Sequence, residues 1–119
     1  MLNNLAKEIH ENNVKKGFYE NEKNIGEMLC LIHSEVSEAL ECDRKGKYCN
    51  YYPLLEFTHE DEMKADFETR IKDTFEDEMA DIIIRVLDLC AFKEIDIESH
   101  IKAKMRYNST REFKHGKKY

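Results

Sequence analysis

Apolar side chains recur every three or four residues through most of this 119-residue chain, and helix breakers seldom interrupt them. That spacing aligns apolar side chains along one face of an α-helix. The chain has one proline and four glycines, and 37% of its residues are charged, a composition that suits helical surfaces better than strands or turns. We therefore predict an all-α fold, a four- to five-helix bundle, in a single domain spanning residues 1–119.

Capping residues predict where the first two helices begin and end. The first helix is expected over residues 2–15 and is closed by Gly17, because glycine enters the left-handed conformation at little cost. The second begins after Asn24, which with Glu27 forms a capping pattern. It is expected to run to about Lys45.

The middle of the chain allows two interpretations. Residues 47–58 contain the proline and three tyrosines and are expected to form a structured connection. From His59 to Cys90 the helical spacing of apolar residues continues, as one long helix or as two. Because Asp73 or Thr74 can cap a new start, we favour a break there.

The C-terminal end of the chain is basic, whereas the rest is acidic. A last helix is predicted to begin after Asp96 and to run to about Tyr107, with a basic tail from about residue 108. Residues 100–119 hold seven Lys or Arg and one acid, while the other ninety-nine residues hold 12 basic and 24 acidic side chains. An acidic body argues against duplex nucleic acid as a partner. It suits a metal-bound polyphosphate, although a solvated helical surface with a disordered basic end would have the same composition.

Cysteine spacing and hydropathy indicate the cell compartment. The four cysteines form no CxxC pair, and the N-terminus lacks the apolar run of a signal peptide. No stretch approaches the roughly 18 apolar residues of a membrane span. We therefore expect a cytoplasmic protein with no membrane partner.

Two acidic motifs on separate helices carry the chemical information. Glu35, Glu38 and Glu41 follow one another at a spacing of three on the second helix, and Glu78 and Asp81 repeat that spacing further on. Side chains three residues apart share a helix face, and like charges placed so repel by a few tenths of a kcal/mol unless a cation lies between them. Both motifs adjoin core-type residues, so helix packing would bring their carboxylates together.

Such a carboxylate cluster predicts a hard divalent cation. Oxygen ligands without Cys or His favour Mg²⁺, with Mn²⁺ as a substitute, over Zn²⁺. A metal held in this way neutralises triphosphate charge and activates a water that attacks phosphorus.

Cationic side chains near the C-terminus are candidates for binding phosphate. Lys104, Asn108 and Arg111 share a helical face if the last helix extends that far, and Arg111 offers a two-point grip on a phosphate group. The alternative is a frayed basic helix end stabilised by its own dipole. Arg85 lies four residues after Asp81 and either orients that ligand or forms a plain surface ion pair.

The order and spacing of these motifs resemble a known family. The ExxE of Glu35 and Glu38, the ExxD of Glu78 and Asp81, and the KMxxNxxR of residues 104–111 together are similar to the MazG-like all-α nucleotide pyrophosphohydrolases. Dimeric dUTPases, dCTPases and phosphoribosyl-ATP pyrophosphohydrolases belong to the same superfamily. The resemblance implies a homodimer or homotetramer that converts a nucleoside or deoxynucleoside triphosphate to its monophosphate and pyrophosphate, often as housecleaning of non-standard nucleotides.

The resemblance also implies roles for individual residues. The metal ligands would be Glu35, Glu38, Glu78 and Asp81. The phosphates would be held by Lys104, Asn108 and Arg111. Glu38 or Glu41 would accept a proton from the attacking water, and the sequence does not choose between them. Phe18 and Tyr19 would stack on the base. The alternative function is a non-catalytic helical module of the same fold that senses nucleotides or binds a protein.

Overall fold

A computed structural model describes residues 1–50 and 59–119 of the chain, which form helices and no strand. The helices are α1 (Leu2–Lys15), α2 (Ile25–Arg44), α3 (Glu60–Arg70), α4 (Phe75–Phe92) and α5 (Ile97–Ser109), followed by a 3₁₀ turn (Phe113–Gly116). The prediction of an all-α class is confirmed for this part of the chain. Within it, no helix is both long enough and apolar enough to cross a membrane. Most of the predicted connection, residues 51–58, lies outside the described residues.

The predicted ends of α2 are confirmed by its capping contacts. The Asn24 side chain accepts a hydrogen bond from the Glu27 amide at 3.1 Å, which satisfies one of the amides left open at the helix start. Beyond Arg44 the backbone turns at Gly46, whose φ of +66° lies in the left-handed region that glycine tolerates.

The predicted break between the third and fourth helices is also confirmed. Asp73 adopts a left-handed φ of +62° and ends the helical run. The Asp77 amide then donates to Thr74 Oγ1 at 3.3 Å, and the Asp73 amide donates to Asp77 Oδ2 at 3.0 Å. These contacts start α4 at Phe75, so that Glu78 lies in its first turn.

The described residues divide into two compact units. The terminal unit comprises Met1–Asn21 and Leu87–Tyr119, and the central unit comprises Glu22–Val86. Helix α4 begins in the central unit and ends in the terminal one. The single-domain assignment stays a prediction.

In the terminal unit, α1 packs against α5. The Asn3 side chain donates to Asp96 at 2.7 Å and accepts from the Glu98 amide at 3.3 Å, which fixes the start of α1 on the start of α5. Asp96 also caps α5 as predicted, by accepting from the Ser99 amide at 3.1 Å. The helix ends at Ser109, two residues later than predicted.

The central unit buries unusual residues. Ala39, Cys42 and Ile71 form its small apolar core, and two carboxylate side chains, Glu35 and Glu78, are buried as well. No large side chain among the described residues is fully buried. A helical unit that buries charge and leaves aliphatic groups in solvent reverses the usual distribution, so its acidic residues need a physical explanation.

Candidate metal centre

Three of the four predicted metal ligands converge in the central unit. Glu35 and Glu38 lie one turn apart on α2, and Glu78 lies in the first turn of α4. One carboxylate oxygen from each lies within 4.8 Å of the other two. Glu35 is 7% exposed and Glu78 is 6% exposed, whereas Glu38 reaches solvent. The spacing of three and the break before α4 therefore produce a cluster that opens to solvent on the Glu38 side.

The three carboxylates of the cluster carry more negative charge than nearby cationic side chains neutralise. Two ionised carboxylates at this separation repel by roughly 3–4 kcal/mol at an effective dielectric constant of about 20. Arg85 Nε donates to Glu35 Oε1 at 2.7 Å and offsets one of the charges. The sequence suggested that Arg85 would pair with Asp81, but its ion pair is with Glu35. Glu78 lacks an equivalent ion pair among the described residues.

Proton affinity reflects this charge imbalance. Burial raises the pKa of Glu78 to about 7, and the charges and hydrogen bonds of Glu38 and Glu35 contribute to the increase. The hydrogen bond from Glu35 and its charge raise the pKa of Glu38. The hydrogen bond with Glu38, assisted by Arg85, lowers the pKa of Glu35. The cluster therefore favours the protonated form of Glu78 more than an isolated carboxyl would, and a bound cation would compete with that proton.

The geometry of the donor set fits a small divalent ion. Opposite ligands of an octahedral Mg²⁺ lie about 4.1 Å apart, because each metal–oxygen distance is about 2.0–2.1 Å. The three oxygens, within 4.8 Å of one another, would need only small side-chain movements to reach that arrangement. All three donors are carboxylates, which favours Mg²⁺ or Mn²⁺ over softer metals.

Asp81, the fourth predicted ligand, lies beside this cluster but outside its three-oxygen group. Burial, followed by the negative charges of Asp77 and Glu35, raises the pKa of Asp81. Asp81 also lines a cavity of about 760 Å³ in the central unit, together with Met63 and Phe67 of α3. Its role as a metal ligand stays a prediction.

A second acidic group was missed by the sequence analysis. Asp73, Asp77 and Glu78 also bring carboxylate oxygens within 4.8 Å of one another, and Glu78 is common to both groups. The sequence signal was the spacing of four between Asp73 and Asp77 at a helix start. The bond from the Asp73 amide to Asp77 gives this pair a capping role.

Glu41, the alternative proton acceptor, lies one turn beyond Glu38 on α2. It forms ion pairs with Arg44 at 3.3 Å and Lys45 at 3.7 Å. Glu38 and Glu41 both line a cavity of about 300 Å³. The choice between them as proton acceptor therefore stays open.

Two of the predicted phosphate-binding residues lie near the ring of Tyr107 in the terminal unit, and the third, Asn108, follows Tyr107 in the chain. Lys104 Nζ lies 5.2 Å from the centre of the Tyr107 ring, and the Arg111 guanidinium carbon lies 5.5 Å from it. Arg111 follows the end of α5, so the single helical face proposed for it is not formed. The buried Oδ1 of Asn108 has no hydrogen-bond partner among the described residues. Phosphate binding by these three residues stays a prediction.

Phe18 and Tyr19, predicted to stack on a base, differ in their surroundings. Phe18 is 61% exposed. Tyr19 donates to Asp88 at 2.6 Å, and its ring centre lies 4.6 Å from that of His10 and 5.2 Å from that of Phe92. Burial, followed by the hydrogen bond to Asp88, raises the pKa of Tyr19.

The partners of Tyr19 were not foreseen from the sequence. Asp88 also binds His10 at 2.9 Å, so one buried carboxylate connects two aromatic side chains. The sequence feature that could have indicated this contact is Asp88 itself, an acid within the mostly apolar residues 82–91. Base stacking by Phe18 and Tyr19 stays a prediction.

In comparisons with known proteins, no family model, no curated protein and no solved structure matches the chain. The resemblance to MazG-like enzymes therefore stays a prediction from the motifs.

The raised pKa of Glu78 predicts a pH dependence of stability in metal-free protein. A carboxyl group whose pKa rises from 4.5 to about 7 on folding binds protons more tightly in the folded state, so its stabilising contribution is present below pH 4.5 and is lost as the pH rises to about 7. We expect the free energy of unfolding to fall over this interval more steeply in the wild type than in Glu78→Gln. Urea denaturation at a series of pH values, with Glu8→Gln as control, measures the difference. Parallel pH profiles for wild type and Glu78→Gln would contradict the assignment.

Proposed function

We propose that this chain is a Mg²⁺-dependent nucleoside triphosphate pyrophosphohydrolase of the MazG-like type. The observation that carries the proposal is the convergence of the Glu35, Glu38 and Glu78 carboxylates from two helices. Burying two acids beside a third destabilises a fold unless a cation compensates. An interaction surface gains nothing from that arrangement, whereas a polyphosphate hydrolase requires it.

In the proposed reaction, the three clustered carboxylates would hold the metal, and Asp81 would complete the set from its neighbouring position. Mg²⁺ bound there would neutralise triphosphate charge and lower the pKa of a coordinated water. Glu38 or Glu41 accepts a proton as water attacks the α-phosphorus. The bond from that phosphorus to the α–β bridging oxygen breaks, and pyrophosphate leaves with the bridging oxygen.

The substrate is proposed to be a nucleoside or deoxynucleoside triphosphate, including non-standard forms. Lys104, Asn108 and Arg111 are the proposed phosphate contacts on the terminal unit, and Phe18 and Tyr19 are the proposed base contacts. A cytoplasmic location is proposed on the sequence argument alone.

The proposed activity predicts the result of a substrate screen with matched variants. The wild type should release pyrophosphate in the presence of Mg²⁺ from at least one of the eight common NTPs and dNTPs or their oxidised and deaminated forms. Glu38→Gln and Asp81→Asn should lower the rate by about 100-fold or more, because loss of a metal ligand removes several kcal/mol of transition-state stabilisation. Pyrophosphate and inorganic phosphate are quantified separately, with helical content measured by circular dichroism.

The control for this screen is Glu8→Gln, which removes a charge from an exposed position on α1. Wild-type turnover in both site variants would mean that the acids are misassigned. Release of inorganic phosphate instead of pyrophosphate would contradict the reaction type.

We also propose that the chain forms a homodimer or homotetramer. The central unit leaves aliphatic side chains in solvent: Val36 is 49% exposed, Leu40 is 50% exposed and Ile83 is 53% exposed. Val36 and Leu40 follow each other at a spacing of four on α2, so they form a row along one helix face. A second copy that covers this row together with Ile83 would supply the apolar burial that a small helical unit needs.

Light scattering after size-exclusion chromatography tests the proposed assembly. The wild type should elute at two or four times the chain mass of 14.2 kDa. Ile83→Lys should lower the mass toward the monomer, because an ammonium buried in an apolar interface loses its hydration. Asn12→Lys adds the same charge at an exposed position on α1 and should leave the mass unchanged. A monomeric wild type would contradict the proposal.

A further inference from the structure

A cavity of about 300 Å³ lies beside the carboxylate cluster in the central unit and combines acidic and basic walls. Its volume is at the lower end of the range for small-molecule sites. Two of its carboxylates, Glu38 and Glu78, belong to the cluster itself. The lining residues are Ser37, Glu38, Glu41, Cys42, Lys45, Lys47, Asp73 and Glu78.

The backbone of Lys47 is held against the start of α4. Its amide donates to the Cys42 carbonyl at 2.8 Å, and its carbonyl accepts from the Phe75 amide at 2.9 Å. The next residue, Tyr48, packs its ring against Phe75 with centres 5.0 Å apart. Lys47 is therefore fixed near the first turn of α4, where Glu78 lies.

The two lysines of the cavity are not equivalent. Lys45 Nζ lies 3.7 Å from Glu41 Oε2, in an ion pair between exposed side chains. Lys47 has no carboxylate within 4.0 Å of its ammonium group among the described residues. Within residues 1–50 and 59–119, the Lys47 charge is therefore the less compensated of the two.

The charge balance of the cavity defines what it can bind. Its lining contains four carboxylates and two lysines, so an anion alone would be repelled. A divalent ion on Glu38 and Glu78 would raise the formal charge of the lining from −2 to zero, and the metal and Lys47 would then both offer positive charge to a ligand. Phosphate oxygens commonly complete the coordination of Mg²⁺ held by carboxylates, and a lysine acts on them as a point charge.

We infer that Lys47, assisted by Lys45, binds the phosphate chain of a metal-bound polyphosphate in this cavity. The inference rests on the proposed function and adds a phosphate contact on the central unit to those predicted around Tyr107. It also requires the metal, since polyphosphate alone would be repelled by the carboxylates of the lining.

Isothermal titration calorimetry with inorganic tripolyphosphate tests the inference, at a fixed concentration of free Mg²⁺ and again without Mg²⁺. Wild-type protein should bind tripolyphosphate only when Mg²⁺ is present. Lys47→Ala should weaken that binding by about tenfold, because one charge-assisted contact to phosphate is lost. Lys47→Arg should retain most of the affinity, and Lys45→Ala should lose less than Lys47→Ala because Lys45 is paired with Glu41.

The controls separate this inference from the proposed function. Lys7→Ala removes an exposed lysine of α1 and should bind as the wild type does. Lys47→Gln serves as a second variant, and Mg²⁺-dependent thermal stabilisation is measured for every protein. Wild-type tripolyphosphate affinity in folded Lys47→Ala and Lys47→Gln, with Mg²⁺ stabilisation retained, would overturn the lysine assignment alone. Wild-type protein that is not stabilised by Mg²⁺ would overturn the metal centre and this inference together.

Discussion

The central unit depends on how it accommodates the mutual repulsion of the Glu35, Glu38 and Glu78 carboxylates. Two of these side chains are buried, and burial strengthens every charge interaction among them. The positive charge of Arg85 offsets the negative charge of Glu35. Burial and the neighbouring Glu38 and Glu35 raise the pKa of Glu78 to about 7, so protonation of Glu78 would relieve part of the repulsion. In the proposed metal-bound state, a divalent cation would compensate all three charges at once.

Backbone contacts around the cluster determine where its acids lie. The left-handed Asp73 and the Thr74 cap end the preceding turn and start α4, which places Glu78 in that helix's first turn. The segment after α2 is held to the same helix start through the carbonyl of Lys47. Glu78 and the backbone of Lys47 are therefore positioned by one local structure, and a change in the α3–α4 break would move both.

The helices and their caps could be predicted from the sequence because they depend on local interactions. Asn24, Asp96 and the break at Asp73–Thr74 each act within one helical turn, so short-range patterns identified them. The convergence of α2 and α4 acids was inferred from their shared spacing and their apolar neighbours. In contrast, the partner of Arg85 depended on the distance between two helices, which a helical spacing of four does not specify.

The same limit applies to residues whose environment comes from distant parts of the chain. The sequence gives no signal for a partner of the Tyr19 hydroxyl, which binds Asp88, 69 residues away. Lys47 lies in a segment without a clear helical pattern of apolar residues. Only the structure shows that it lines a cavity beside the carboxylate cluster. Local chemistry was thus predictable, whereas the surroundings of Tyr19 and Lys47 required coordinates.

The most direct test of the metal centre is anomalous X-ray diffraction from crystals grown with Mn²⁺, which substitutes for Mg²⁺ and scatters anomalously. The account predicts a manganese peak within coordination distance of Glu35, Glu38 and Glu78 carboxylate oxygens. Well-ordered carboxylates with no manganese among them at saturating Mn²⁺, or an ion bound only elsewhere on the chain, would contradict it.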